Sequence, residues 1–240
     1  MSTFSFDETA GSSQSTAKPK LAGNEIHTVK LEACEIQDIQ GVKDPTQLYR
    51  VLKFKFSNED GYYEHTVFEP RPDDFKRTET EFTNKNGNKE KIPQPSNVES
   101  MMLLFKHIID SFVPEVSKKI DNKEVSLNAP NWETLRALIV KICSNAKERT
   151  SKIKLMKNSK TGDGQFPGFF TGLTREGKAY IRNNFIGEKI AFSAYELTRI
   201  QNEANAKPTN MGSAAAGFNL SDPKFGSDSD LDLDFDLGNL

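Results

Sequence analysis

Lys152-Ile153-Lys154-Leu155-Met156-Lys157 reads as a strand with lysines on one face. A polar, glycine-bearing turn with Lys160 follows, then Phe166-Pro167-Gly168-Phe169-Phe170, a second turn at 174–177 carrying Arg175, and Lys178-Ala179-Tyr180-Ile181-Arg182. Between Lys152 and Tyr195 eight Lys/Arg are interleaved with seven aromatics. Cations on one strand face grip a phosphate backbone, and flat rings stack on unpaired bases. The pattern predicts strands over 152–157, 166–173 and 178–185, a short last strand over 186–192, and a helix over about 193–204.

Working outward, 25–39 reads as a long strand. Val29, Leu31 and Ala33 share one face, and Cys34 and Ile36 take over on the other parity. One extra residue flips the side chains beyond it, so this switch predicts a bulge. Cys34 is read as a small buried residue. A second strand, 48–57, points Leu52, Phe54 and Phe56 one way and Val51, Lys53 and Lys55 the other. Asn58-Glu59-Asp60-Gly61 is a hairpin signal, and 62–68 is the third strand. Tyr62 and Tyr63 fall on opposite faces, so one is core and the other, near Lys53 and Lys55, a stacking ring. Residues 69–95, with four prolines and no period, are expected to be an irregular loop.

Ser96 with Glu99 three residues on is a capping box. Apolar residues from Val98 to Phe112 recur at helical spacing, and Pro114 ends the run. A second helix is expected over 131–145, with Trp132 on its apolar stripe and therefore core.

The chain has 240 residues, 35% of them hydrophobic, with a mean hydropathy of -0.62. Both ends are too polar to fold alone. No apolar run reaches the length of a membrane span, about 18 residues, and the N-terminus lacks the basic head and apolar core of a secretory signal. Two cysteines and three histidines show no paired ligand spacing, so no metal and no cofactor is expected, and a reducing, cytosolic setting is. Asp73, Asp74 and Glu79 sit in the proline-rich loop without a framework, and no phosphate loop or nucleophile motif is present. The chain is therefore read as a binding protein and not an enzyme.

Charge is uneven. From Ser221 onward there are six Asp and one Lys, net -5, so that against a total of -2 the remainder carries +3. The last residues alternate acid with apolar: Asp228, Asp230, Asp232, Asp234, Phe235, Asp236 and finally Leu240. They are expected to be disordered in isolation.

Three strands, a helical insert and further strands give an α+β, mainly β class: an OB-fold-like small barrel with a helical insert between the third and fourth strands and disordered termini. The expected division is an arm at 1–24, a nucleic-acid-binding domain at 25–205, and a linker with an acidic-hydrophobic tail at 206–240. On this element order, the basic-aromatic strands and the terminal Asp/Leu run, the chain resembles phage single-stranded DNA-binding proteins. The resemblance implies coating and protection of single strands in replication, recombination and repair, in the host-cell cytoplasm. It also implies a tail that recruits replication and recombination proteins and competes with DNA. T4-type members carry a zinc site for which this chain has no ligand set, and many others end in Phe where this one ends in Leu240. The expected phosphate ligands are Lys53, Lys55, Lys152, Lys154, Lys157, Lys160, Arg175, Lys178 and Arg182. The expected stacking rings are Tyr180, Phe169, Phe170 and either Tyr62 or Tyr63. No membrane partner is expected, and self-association is left open. The rival reading is a virion or assembly-associated protein that contacts DNA.

Overall fold

Strand β1 (Glu25–Gln40) carries the bulge that its parity switch implies: pairing with β2 (Leu48–Ser57) slips between Leu31 and Ala33. The description is of a computed structural model and covers residues 18–41, 44–83, 87–146, 148–168 and 170–205. The expectations for 1–17, Phe169 and the 206–240 tail lie outside the described residues.

Strand β3 (Tyr62–Val67) follows the Asn58–Gly61 turn, whose Asn58 Oδ1 accepts from Asp60 N and Gly61 N. Two further strands, β4 (Thr78–Thr83) and β5 (Lys89–Gln94), form a separate antiparallel ribbon. This corrects the irregular loop expected over 69–95: the Thr-rich alternation of β4 is a strand signal that the prolines masked. Helix α1 (Asn97–Phe112) starts at the Ser96 capping box, with both reciprocal bonds made. Pro114 does more than end α1. It opens a short helix, α2 (Pro114–Asp121), from the first position, where its missing N–H costs nothing. Helix α3 (Trp132–Cys143) is capped by Asn131, whose side chain accepts from Thr134 N.

The chain then returns as β6 (Thr150–Lys157) and β7 (Gly164–Gln165), and β3-β2-β1-β6-β7 is the order of one strongly curled antiparallel sheet. The concave side carries Leu52, Phe54, Phe56, Tyr63, Ile153 and Leu155, packed against α1 and α3. Each large apolar side chain so buried contributes about 1.5–3 kcal/mol. Cys34 meets Cys143 at the end of α3; their hydrogen bond, then burial, push the Cys34 thiol up.

The strand expected over 166–173 is confined to β8 (Thr171–Leu173), and that over 178–185 to β9 (Ala179–Ile181). They form a ribbon of their own beside α1. The chain leaves the sheet because Phe166 and Phe185 turn into the core, 4.8 Å apart, and Pro167 has no N–H to continue a ladder. Residues 186–192 form no strand beyond a bridge between Ile153 and Ile186. Helix α4 (Ala194–Asn205) starts at Ser193, which makes a second reciprocal cap with Glu196.

One element lies where an unstructured arm was expected. Pro19 to Ala22 runs between the two edges of the curled sheet. Leu21 N donates to Tyr62 O and Tyr62 N to Pro19 O on the β3 side, and Gly164 N donates to Leu21 O on the β7 side. Leu21 is 3% exposed. Two glycines permit the approach: a Cβ on Gly61 would collide with the Pro19 carbonyl, and one on Gly164 would lie 2.8 Å from the Leu21 carbonyl oxygen. Residues 19–22 are thus part of the fold, because backbone pairing with two edges needs no hydrophobic period to announce it.

Candidate nucleic-acid interface

Alternation puts Lys152, Lys154 and Met156 on the convex face of β6, as expected, but that face is covered. Residues after β9 first pair along the outer edge of the strand, with Lys154 N donating to Phe185 O and Gly187 N to Lys152 O, and 191–196 then cross its outward face. Lys154 is 0% exposed. Its Nζ donates to Glu196 Oε2 at 2.7 Å, Asn183 Oδ1 at 2.7 Å and Ala191 O at 3.0 Å, and it sits over the Phe192 ring. A buried cation persists only when paired and hydrogen-bonded. Burial pushes the Glu196 carboxyl up, but Lys154, Ser193 N and Asn183 together hold it below the usual carboxylate range. Lys154 is therefore a structural residue and not a phosphate ligand. Lys152 is half-buried, its Nζ 3.5 Å from Glu188 O. Lys157 and Lys160 are exposed at the end of β6 and in the turn beyond it, and Asn158 Oδ1 fixes that turn by accepting from Lys160 N.

The ribbon β8–β9 keeps its cations free. Lys178, Tyr180 and Arg182 alternate onto one exposed face, while Ala179 and Ile181 are half-buried. Tyr180 is 40% exposed and faces Gly172 across the ribbon. The Arg182 guanidinium lies against Gly172, where any Cβ would sit 2.8 Å from its Nη2. Arg175 is exposed at the turn, which is closed by Gly177 at φ +78 and by Gly177 N donating to Thr174 O. Arg77, one of the 69–95 cations that could clamp nucleic acid on sequence grounds, instead pins this turn: its Nη2 donates to Gly177 O at 2.8 Å, and the same guanidinium pairs with Glu99. That pairing holds the Glu99 carboxyl at about 2. Among the described residues, Arg175, Lys178 and Arg182 have no carboxylate partner. Phe170 is half-buried with its ring 4.7 Å from that of Phe185, so part of it is core.

A second cationic cluster lies on the convex face of the β1–β2–β3 meander. Register decides between the tyrosines. Tyr63 is inward and buried, with its hydroxyl accepting from Phe166 N and lying 3.1 Å from His65 Nδ1, so it cannot stack on a base. Tyr62 is outward, with Lys55 Nζ 5.8 Å above its ring. Lys53 and Lys55 each have a carboxylate at 3.4 Å, Glu64 and Glu32 respectively. Lys18 and Lys30 join Lys55 and Tyr62 around the same open cleft. Lys30 was legible in principle, since before the bulge its parity is that of Ser57 and Lys55. Lys18 was not, because its place depends on the strip beside β3.

Among the described residues no group of His, Cys, Asp and Glu could hold a metal ion, and no helix is long and apolar enough to cross a membrane. No protein-family model, curated protein or solved structure matches this chain.

Proposed function

We propose that this chain binds single-stranded DNA without catalysing a reaction on it, coating and protecting the strand during replication, recombination and repair in a phage-infected cell. The observation that carries the reading is the exposed face of β9, where Lys178, Tyr180 and Arg182 alternate free cations with a ring. Cations that release condensed counterions supply affinity without sequence preference, and a ring between them takes an unpaired base. On the meander, Lys30 and Lys55 stand beside Tyr62, with Lys53 and Lys55 already paired to Glu64 and Glu32. The finer fold is part of the same proposal: five strands paired in the order third-second-first-fourth-fifth, with helices inserted after the third, support an OB-type barrel. The acidic tail recruits replication and recombination proteins and competes with DNA for the cationic faces.

The test is a salt-titrated fluorescence assay with oligo-dT, duplex DNA and oligo-U. Oligo-dT is expected to bind at least about tenfold more tightly than duplex. A duplex preference would instead favour a virion component.

A further inference from the structure

An open groove of about 450 Å³ lies between the end of β3, the first turns of α1 and the near end of the β4–β5 ribbon, with Gly168, Phe170 and Thr171 as its last wall. Its size is that of a small-molecule site, typically about 300–1,000 Å³. Its lining has a distinct chemistry. Among the described residues no Lys or Arg reaches it, and two carboxylates, Glu69 and Asp74, do. Asp74 is held in place by Asn97 Nδ2 and by Arg71 N. His65 adds no positive charge at neutral pH, because burial lowers it to about 4. Phosphate is therefore repelled. The other walls mix neutral hydrogen-bonding groups, Thr66, Thr78, Thr80 and Gln94 among them, with apolar Val67, Met101 and Leu104 and the Phe68 and Phe170 rings. Phe68 is 52% exposed, with the Tyr49 ring 6.2 Å away and nearly perpendicular to it.

The position of the groove matters as much as its lining. At one end, Thr66 is the register partner of Lys53 on the meander face. At the other, Thr171 opens the β8–β9 ribbon and is tied to α1 through Ser100 Oγ at 2.9 Å. The groove thus separates two surfaces that carry cations, and is itself neutral to acidic. A single strand spanning both surfaces would keep its phosphates on the lysines and arginines and turn what lies between them inward.

We propose that this groove is a nucleobase subsite, which takes one unpaired base edge-on to its hydroxyl and amide groups with Phe68 against the base face. The inference rests on the single-strand reading above and adds to it a place where bases, and not only backbone, are held. Neutral planar groups with donors and acceptors on their edges suit such a site, and stacking supplies affinity with little regard to base identity.

The test compares full-length wild type with Phe68→Ala and Gln94→Ala on oligo-dT and on an abasic oligomer of equal length. Both side chains reach the groove without filling the core, and thermal melts check that each variant folds. The expected result is about tenfold weaker oligo-dT binding for Phe68→Ala, a smaller loss for Gln94→Ala, and unchanged abasic binding and salt slope for both. An oligomer carrying 5-iododeoxyuridine is expected to photocrosslink to peptides containing Phe68 or Phe170. Wild-type-like oligo-dT binding by both variants, with crosslinks only at Tyr62 or Tyr180, would overturn the subsite and leave the single-strand reading standing. Binding of a 227–240 peptide in the groove, with no crosslink there, would overturn it in favour of an internal ligand. Failure of wild type to bind oligo-dT at all would overturn both readings together.

Discussion

Lys154 Nζ lies 2.7 Å from Glu196 Oε2, both side chains are buried, and the pair fastens α4 onto the convex face of β6. A charge pair so placed is costly to halve and cheap to remove whole. Glu196→Ala is expected to destabilise the protein by about 3–5 kcal/mol, since it leaves a buried ammonium with only neutral partners. The double variant Lys154→Met/Glu196→Leu is expected to recover most of that in urea unfolding. Its oligo-dT affinity should equal that of wild type. A loss of affinity in the stable double variant would restore Lys154 to the interface.

The strip from Pro19 to Ala22 should contribute to stability out of proportion to its length. Leu21→Ala removes a buried side chain and should cost about 2–4 kcal/mol. Gly61→Ala should weaken the same contact by displacing the Pro19 carbonyl. Equal melting temperatures for Leu21→Ala and wild type would show that the strip is held only loosely.

Stability should fall as pH drops from about 6.5 to about 4, a fall that begins above the range in which carboxylates are lost. Burial lowers the folded-state His65 to about 4, against an ordinary 6.5. Between those values the unfolded chain binds a proton that the folded one refuses, so acid favours unfolding. Tyr63 and Phe166, which surround the ring, offer no negative charge to offset this. The expected loss is about 2 kcal/mol, somewhat less than the full shift implies because one edge of the ring reaches the groove. His65→Gln should reduce that fall, with His107, also lowered by burial, left to account for the remainder. An unchanged profile would assign the acid sensitivity to another group.

Arg175, Lys178 and Arg182 are expected to act through phosphates and Tyr180 through a base. Each cation changed to Ala should reduce the salt dependence by about 0.7 in the log–log slope. With about four phosphates engaged, the wild-type slope should be about -3. Tyr180→Ala should cost about 1–3 kcal/mol of single-strand affinity and leave the slope alone. A slope change on removing Tyr180 would contradict this division of labour.

Deletion of residues 227–240 is expected to tighten oligo-dT binding at low salt and to abolish capture of replication partners. Its effect should fade as salt rises, since a tail that competes by charge is screened together with its target. Equal low-salt affinity with and without the tail would remove competition from the proposal.

What local periodicity determined was the course of the chain. The meander, the bulge in β1, the capped starts of α1 and α4, the buried stripe with Trp132 and the outward parity of Lys178, Tyr180 and Arg182 all follow from residues a few positions apart. Parity also put Lys154 outward, and correctly so. Whether an outward lysine meets water or protein depends on what lies over it, and Glu196 arrives from 42 residues away. The same holds for Tyr62 and Tyr63, for Lys18, and for the strip that joins β3 to β7, whose partners are 40 or more residues distant. Alternation decides which way a side chain points. Only tertiary packing decides what covers it, because the covering element is bound by backbone pairing and buried charge that leave no periodic trace at the site they cover.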